Sequence, residues 1–460
     1  MKEKTSIVEK VFHLKEHKTD VKTEIIAGIT SFMAMAYILA VNPSILADAG
    51  MDKGGVFTAT VLGACIATLL MAFLANYPFA LAPGMGLNAY FAYTVCMKMG
   101  YSWQFALTAV FVEGLIFILL SLVNVREAIF NAIPISLKHG VSAGIGLFIA
   151  IIGLKNANIV VGTGDSTLIG FFSWKGTDFH TEGITVLLAL IGILITGILV
   201  ASKVKGNILI GILVTWVLGI ICQLTGIYVP DPANGWYSLL PDFSAGIFVP
   251  SIAPVFGKLQ FGGIFSLDFL IVVFSFLFVD LFDTLGTLIG VASKAELLDE
   301  NGKLPKIKGA LMADAVGTTA GAVLGTSTVT TFVESAAGVA EGGRTGLTAF
   351  VTAVLFGLSL LISPIFLAIP SFATAPALVI VGFLMFGSVF KVDFGDAVTA
   401  IPAYLCIIAM PFTSSISEGI AFGVISYTVL NLATGKAKKN KVHPMMYILS
   451  ILFVLKYIFL

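Results

Sequence analysis

Fourteen apolar segments follow one another along this chain, at roughly 24–42, 55–75, 79–95, 103–123, 132–154, 183–201, 207–228, 264–291, 308–325, 326–342, 345–366, 372–390, 394–411 and 416–433. Most can cross the roughly 30 Å hydrocarbon core of a bilayer as helices. Backbone polar groups in lipid must be satisfied internally, so the pattern predicts an all-α polytopic membrane protein. The composition agrees: 58% of residues are hydrophobic and 11% charged, where soluble domains carry about 25% charge. A formal net charge of zero argues against a nucleic-acid partner. Cys65, Cys96, Cys222 and Cys406 are scattered and form no CxxC pair, so neither zinc nor a disulfide framework is suggested. His13, His17, His139, His180 and His443 lie in the tail, in loops or at segment ends, which makes a histidine metal site within the membrane unexpected.

Positive charge sets the expected orientation. With fourteen spans, only Lys53, Lys98, Lys155, Lys175 and Lys258 fall on one side. Lys456 sits in a C-terminal apolar piece, and every other lysine and arginine falls on the side of the basic tail at residues 1–22. That side is expected to be cytoplasmic. The piece from Pro444 to Leu460 is expected to lie at the membrane surface or against the protein.

Two of the segments make poor spans. The third is interrupted by Pro83, Gly84 and Gly86, and the tenth opens with the threonine-rich run Thr326–Thr331. They are seven spans apart. Interruptions at matching positions of two odd-numbered halves mark an inverted repeat and its binding site. Thr and Val favour extended backbone, so a short extended piece running into a helix start is expected near Glu334. Irregular backbone at this depth is tolerated only beside protein or a water-filled cavity, and an ionisable residue there is a functional-site candidate. A carboxylate that only bonds neighbouring helices is the other reading.

In the eighth span, Asp280, Asp283, Thr284 and Thr287 share one helical face. They serve either a polar cavity or the gluing of helices. In PGMGLNAYF, Gly84, Gly86 and Ala89 formally match a dinucleotide fingerprint, but the soluble βαβ setting it needs is missing. Glycines here let backbone approach a ligand. Asn88 offers a donor and an acceptor, for a flat heteroaromatic ligand or for the broken-helix backbone. Glu113 and Asp314 are weaker candidates, each expected to pair with a hydroxyl of another helix. Glu341 and Arg344, at i and i+3, read as a surface ion pair. Residues 294–308 read as a solvated hairpin.

The stretches AGITSFMAMAYILAVNPSIL, PGMGLNAYF, VDLFDTLGTLIG and TTFVESAAGVAEGGRTG together resemble the nucleobase–ascorbate transporter superfamily, in its adenine–guanine–hypoxanthine permease branch. The resemblance implies two inverted seven-span repeats, with short antiparallel strands in spans 3 and 10 meeting at mid-membrane. It implies a core domain from 23–123 and 264–366, a gate domain from 124–263 and 367–433, and a cytoplasmic lysine cluster and apolar segment at 434–460. Carried over by motif, Asp283 and Glu334 hold the substrate, Asn88 matches the third-span asparagine, and Thr287 contacts substrate or water. The amides around Gly86 and Val333 would reach the base. The implied activity is import of a purine nucleobase, guanine or hypoxanthine, with adenine or xanthine as the alternative. No cofactor is implied. A proton serves as the coupling ion, through Glu334 and Asp283, because burial disfavours a charged carboxylate. An anion transporter of the same architecture is the second class, and the buried acids argue against it. An enzyme is not expected, since no nucleophile–base pair or metal cluster is present. The plasma membrane is the implied location, and related permeases suggest a homodimer through the gate domain.

Overall fold

The computed structural model describes residues 7–123, 133–162, 169–232, 235–241, 248–299, 304–437 and 442–459. Among them, ten helices are long and apolar enough to cross a membrane: Val21–Asp48, Lys53–Ala75, Trp103–Leu122, Ile135–Asn156, Phe179–Ala201, Asn207–Leu224, Leu267–Ala292, Gly346–Ala368, Ser371–Lys391 and Ile416–Ala433. These are spans 1, 2, 4–8, 11, 12 and 14. Span 9 (Ile307–Leu324) is rich in glycine and alanine, and span 13 (Ala397–Thr413) is shorter and contains Pro402 and Pro411. The two remaining spans are broken as the sequence predicts. Most boundaries fall within a few residues of the expected ones. Span 1 is longer than expected because its helix does not stop at Met35: it bends at Ala36–Tyr37 and continues over Ile38–Asp48.

Several helix starts are capped by side chains. Asp20 accepts from the N–H groups of Lys22 and Thr23, Asp52 from Gly55, and Ser102 from Phe105. Contacts at the span ends show that successive spans alternate in direction. At the tail face, Asn76 after span 2 donates to Phe12 O, Lys308 at the start of span 9 to Leu122 O, and Arg344 N before span 11 to Glu24. At the opposite face, Tyr93 of span 3 donates to Asp48, Tyr101 to Asp268, and Lys53 to Leu367 O.

Strand β1 (Leu81–Pro83) lies in span 3. Strands β2 (Val160–Gly162) and β3 (Ile169–Phe171) form a separate antiparallel pair in the connection between spans 5 and 6. Strand β4 (Val329–Thr331) lies in span 10 and pairs antiparallel with β1, Leu81 opposite Thr331 and Pro83 opposite Val329. Two short strands leave backbone groups unpaired on their outer edges, which is costly without water. Hydroxyls of the neighbouring spans supply the partners. Thr68 of span 2 donates to Leu81 O and accepts from Leu81 N, and Thr318 of span 9 donates to Val329 O.

Span 2 thus serves β1 as span 9 serves β4, seven spans later. The helix packing repeats with the same shift. Span 4 packs on span 9 as span 11 packs on span 2; span 1 meets span 11 as span 8 meets span 4; span 5 meets span 13 as span 12 meets span 6. With antiparallel strands at the centre, this is the two-fold inverted repeat. Spans 1–4 and 8–11 pack chiefly on one another, as do spans 5–7 and 12–14.

The C-terminal helix, Pro444–Phe459, lies against the protein and not along the surface. It runs antiparallel to span 14, with Ser450 donating to Thr428 and Tyr457 to Glu418, while Phe453 packs on Phe274 and Phe278 of span 8. Residues 300–303 of the expected hairpin, and Lys438, Lys439 and Lys441 of the lysine cluster, lie outside the described residues.

Candidate functional site

The site forms where the β1–β4 ladder ends. Gly84 N donates to Thr328 O at one end and Phe332 N to Ala80 O at the other. Beyond each strand a short helix begins, Met85–Ala89 in span 3 and Ser335–Ala340 in span 10. Val333 and Glu334 fill the gap between the last ladder residue and the second of these helices. The extended pieces are therefore Leu81–Pro83 and Val329–Thr331, and Gly86 and Val333 lie just beyond them. Val333 is 51% exposed although it sits at mid-span, and Glu334 is half-buried.

Span 8 crosses beside this gap, and its polar stripe divides in two. Helical geometry places residues four apart nearly in line. Asp280 and Thr284 are fully buried, while Asp283 and Thr287 are half-buried beside exposed Gly286 and Gly290. The buried pair faces the repeat interface. Thr284 Oγ1 lies 2.8 Å from Asp280 Oδ1, 2.8 Å from Asp314 Oδ1 and 2.6 Å from Thr330 Oγ1. These residues tie span 8 to span 9 and β4. The half-buried pair faces the gap. Asp283 lies within electrostatic reach of Asp314 and Glu334. Its Oδ2 is 3.3 Å from where a Cβ on Gly84 would stand, and that Cβ would also sit 2.6 Å from Thr330 Cγ2. Only glycine lets span 3 turn this close to β4 and Asp283.

Asp283 and Glu334 are thus brought together, with Val333 next to Glu334 in the chain and Thr287 one helical turn beyond Asp283. Gly86 and Asn88 are not offered to the gap in the same way. A Cβ on Gly86 would lie 2.7 Å from Ile145 Cγ2 of span 5, so its small size serves packing between helices. Asn88 is fully buried; it accepts from Ser327 Oγ and its Nδ2 donates to Pro83 O at 3.4 Å. Through these bonds it fastens the two broken spans together. Glu113 accepts from Thr328 Oγ1 at 2.8 Å and Asp314 from Thr284, so both weaker acids meet a hydroxyl of another span as expected. Glu341 pairs with Lys205 Nζ at 2.6 Å and not with Arg344, whose guanidinium donates to Val339 O and Gly343 O at its own chain turn.

Two polar residues escaped the sequence reading, one at the site and one at the tail face. Tyr37, at the bend in span 1, donates its hydroxyl to Glu334 Oε1 at 2.8 Å. Glu24 is fully buried and accepts from Arg344 N, Thr345 N, Thr348 N and Thr348 Oγ1. A tyrosine in an apolar run carries no periodic signal, and Glu24 sits among the polar residues that open span 1.

Broken helices, paired strands and two carboxylates at a half-exposed gap are the features expected of a candidate substrate site in a transporter. The profile of the Permease family matches residues 22–422, most of the chain. The chain belongs to the nucleobase–ascorbate transporter family of permeases. It is 46% identical to the guanine/hypoxanthine permease PbuO of Bacillus subtilis, over 97% of this chain and 99% of that one. It is 41% identical to the adenine permease AdeP of Escherichia coli, over 99% of this chain and 96% of that one. The permease is a transporter, not an enzyme. In fold it is similar to the transmembrane domain of a cyanobacterial bicarbonate transporter, BicA, with a TM-score of 0.60 at 18% identity, covering 88% of this chain and 97% of that one. It is also similar to the murine anion transporter Slc26a9 in its inward-facing state, with a TM-score of 0.64 at 12% identity, covering 94% of this chain and 74% of that one.

Proposed function

We propose that this permease imports a purine nucleobase, guanine or hypoxanthine, across the cell membrane together with a proton. The observation that carries the reading is the pair Asp283 and Glu334, within electrostatic reach of each other beside the gap where the β1–β4 ladder ends. A purine presents ring and exocyclic N–H groups on one edge and carbonyl or ring-nitrogen acceptors on another. Ionised carboxylates accept only, while a protonated one both donates and accepts. Asp283 accepts from N–H groups. Glu334, when protonated, donates to a carbonyl or ring nitrogen and accepts from a further N–H. Thr287, one turn beyond Asp283, adds a hydroxyl. The same carboxylates repel an anion, which disfavours an anion substrate despite the shared fold. The relatives named guanine/hypoxanthine and adenine permeases support a purine.

Spans 1–4 and 8–11, in residues 23–123 and 264–366, act as the core that carries the base. Spans 5–7 and 12–14, in 124–263 and 367–433, act as the gate. Contacts between the two groups sit at both faces. Lys205 of the gate meets Glu341 of the core at the tail face. Lys98 and Thr94 of the core donate to Thr413 O and Ser414 O of the gate at the other. The repeat relates these two closures, since span 3 answers span 10 and the 6–7 loop answers the 13–14 loop. Alternating access breaks one while the other holds. The tail face is cytoplasmic by its excess of lysine and arginine. A homodimer through the gate completes the assembly.

Uptake of labelled hypoxanthine, in cells lacking their own purine permeases, tests the reading. Guanine and hypoxanthine are expected to compete best, ahead of xanthine, adenine and uracil, and accumulation is expected to follow the pH gradient without sodium. Adenine as the strongest competitor would reassign the substrate. Strict sodium dependence would remove the proton from the scheme.

A further inference from the structure

We infer that Tyr37 is a positioning residue for Glu334, and through it sets how tightly the permease holds its base. The inference rests on the purine reading above. Span 1 breaks between Met35 and Ile38, and Tyr37 stands in that break with no exposed surface. A buried aromatic ring has no room to change rotamer, so its hydroxyl is a fixed donor. That hydroxyl reaches Glu334 Oε1 at 2.8 Å, across 297 residues of chain. The phenol also lies within electrostatic reach of Asp283.

A glutamate side chain turns about three bonds, and one at a half-exposed gap loses entropy when a ligand orders it. With Oε1 engaged by Tyr37, rotation is already restricted and Oε2 is left for the base. Preorganisation of this kind raises affinity without adding a ligand contact. The repeat gives the arrangement a second basis. Span 1 answers span 8 and span 10 answers span 3, so the phenol of Tyr37 beside the span-10 carboxylate has its counterpart in the Asp283 carboxylate beside Gly84 of span 3. The bend in span 1, which apolar packing alone would not require, brings the hydroxyl to Glu334.

Tyr37→Phe keeps the ring and removes the donor. In the full chain, with labelled hypoxanthine, it is expected to raise KM by about two- to tenfold, the worth of one hydrogen bond between uncharged groups. It is also expected to move the pH profile of uptake, because the lost hydrogen bond favours one protonation state of its partner over the other. The amount of inserted protein and its thermal midpoint should match the parent. Tyr228→Phe is the control. Tyr228 is also buried and its hydroxyl donates to Tyr237 O in the connection after span 7, so the loss should leave both KM and the pH profile unchanged. A parental KM and pH profile in Tyr37→Phe would overturn the inference. So would a loss of uptake explained by loss of folded protein, which would make the phenol structural. A parent that takes up no purine would overturn the purine reading and the inference with it, whereas an active parent with an unaffected Tyr37→Phe would overturn the inference alone.

Discussion

Removing the carboxylate of Glu24 tests the least expected piece of packing in the core. Glu24 belongs to span 1 but caps span 11. Its Oε1 accepts from Arg344 N at 2.9 Å, and its Oε2 from Thr345 N at 3.3 Å, Thr348 N at 3.1 Å and Thr348 Oγ1 at 2.6 Å. The N-terminus of a helix also favours a negative charge through its dipole. In Glu24→Ala the Thr348 hydroxyl still reaches Glu24 O at 3.3 Å, which leaves the backbone N–H groups as the main loss. A buried donor without a partner costs about 1–3 kcal/mol. The three N–H groups together therefore put the destabilisation at about 3–9 kcal/mol, the low end applying if water enters the space. Glu24→Gln keeps one acceptor but turns an amide donor toward other donors, and is expected to cost about half as much. The assay is the thermal midpoint of monodisperse protein in detergent, with purine uptake measured alongside. The midpoint should fall in the order parent, Gln, Ala, by several degrees at the last step. An alanine variant that melts with the parent would refute the capping argument.

Other outcomes follow from the site. Glu334→Gln is expected to keep binding and exchanging purine but to lose accumulation driven by a pH gradient, whereas Asp283→Asn should weaken binding itself; gradient-driven accumulation in Glu334→Gln would move the coupling elsewhere. Lys205→Ala removes a partly exposed ion pair worth about 0.2–1 kcal/mol, so the share of protein open at the tail face should rise by no more than about fivefold, as read by alkylation of a cysteine placed at Val333; an unchanged rate would show that the pair does not hold that closure. A cysteine at Lys203 should react with an impermeant reagent only from the cytoplasm and one at Lys175 only from outside, and the reverse would overturn the orientation.

The sequence by itself determined the spans, the two interruptions and the repeat that relates them. Each depends on local composition: apolar length sets a span, and glycine, proline or a threonine run breaks one. Asp283 and Glu334 were legible for the same reason, since a carboxylate in an apolar run stands out without knowledge of its neighbours. Tertiary structure decided which polar groups face the gap and which face the packing. The shared face of Asp280, Asp283, Thr284 and Thr287 is real, but only the positions of spans 9 and 10 divide it into a buried half and a half-open half. Asn88 finds Ser327, more than two hundred residues away, which donates to it. Glu341 pairs with Lys205 and not with the nearer Arg344, whose guanidinium donates to Val339 O and Gly343 O. Tyr37 and Glu24 find their partners 297 and about 320 residues along the chain. Contacts at that separation leave no periodic trace in either segment. They exist only because two inverted halves fold into each other and bring their broken spans to a common centre.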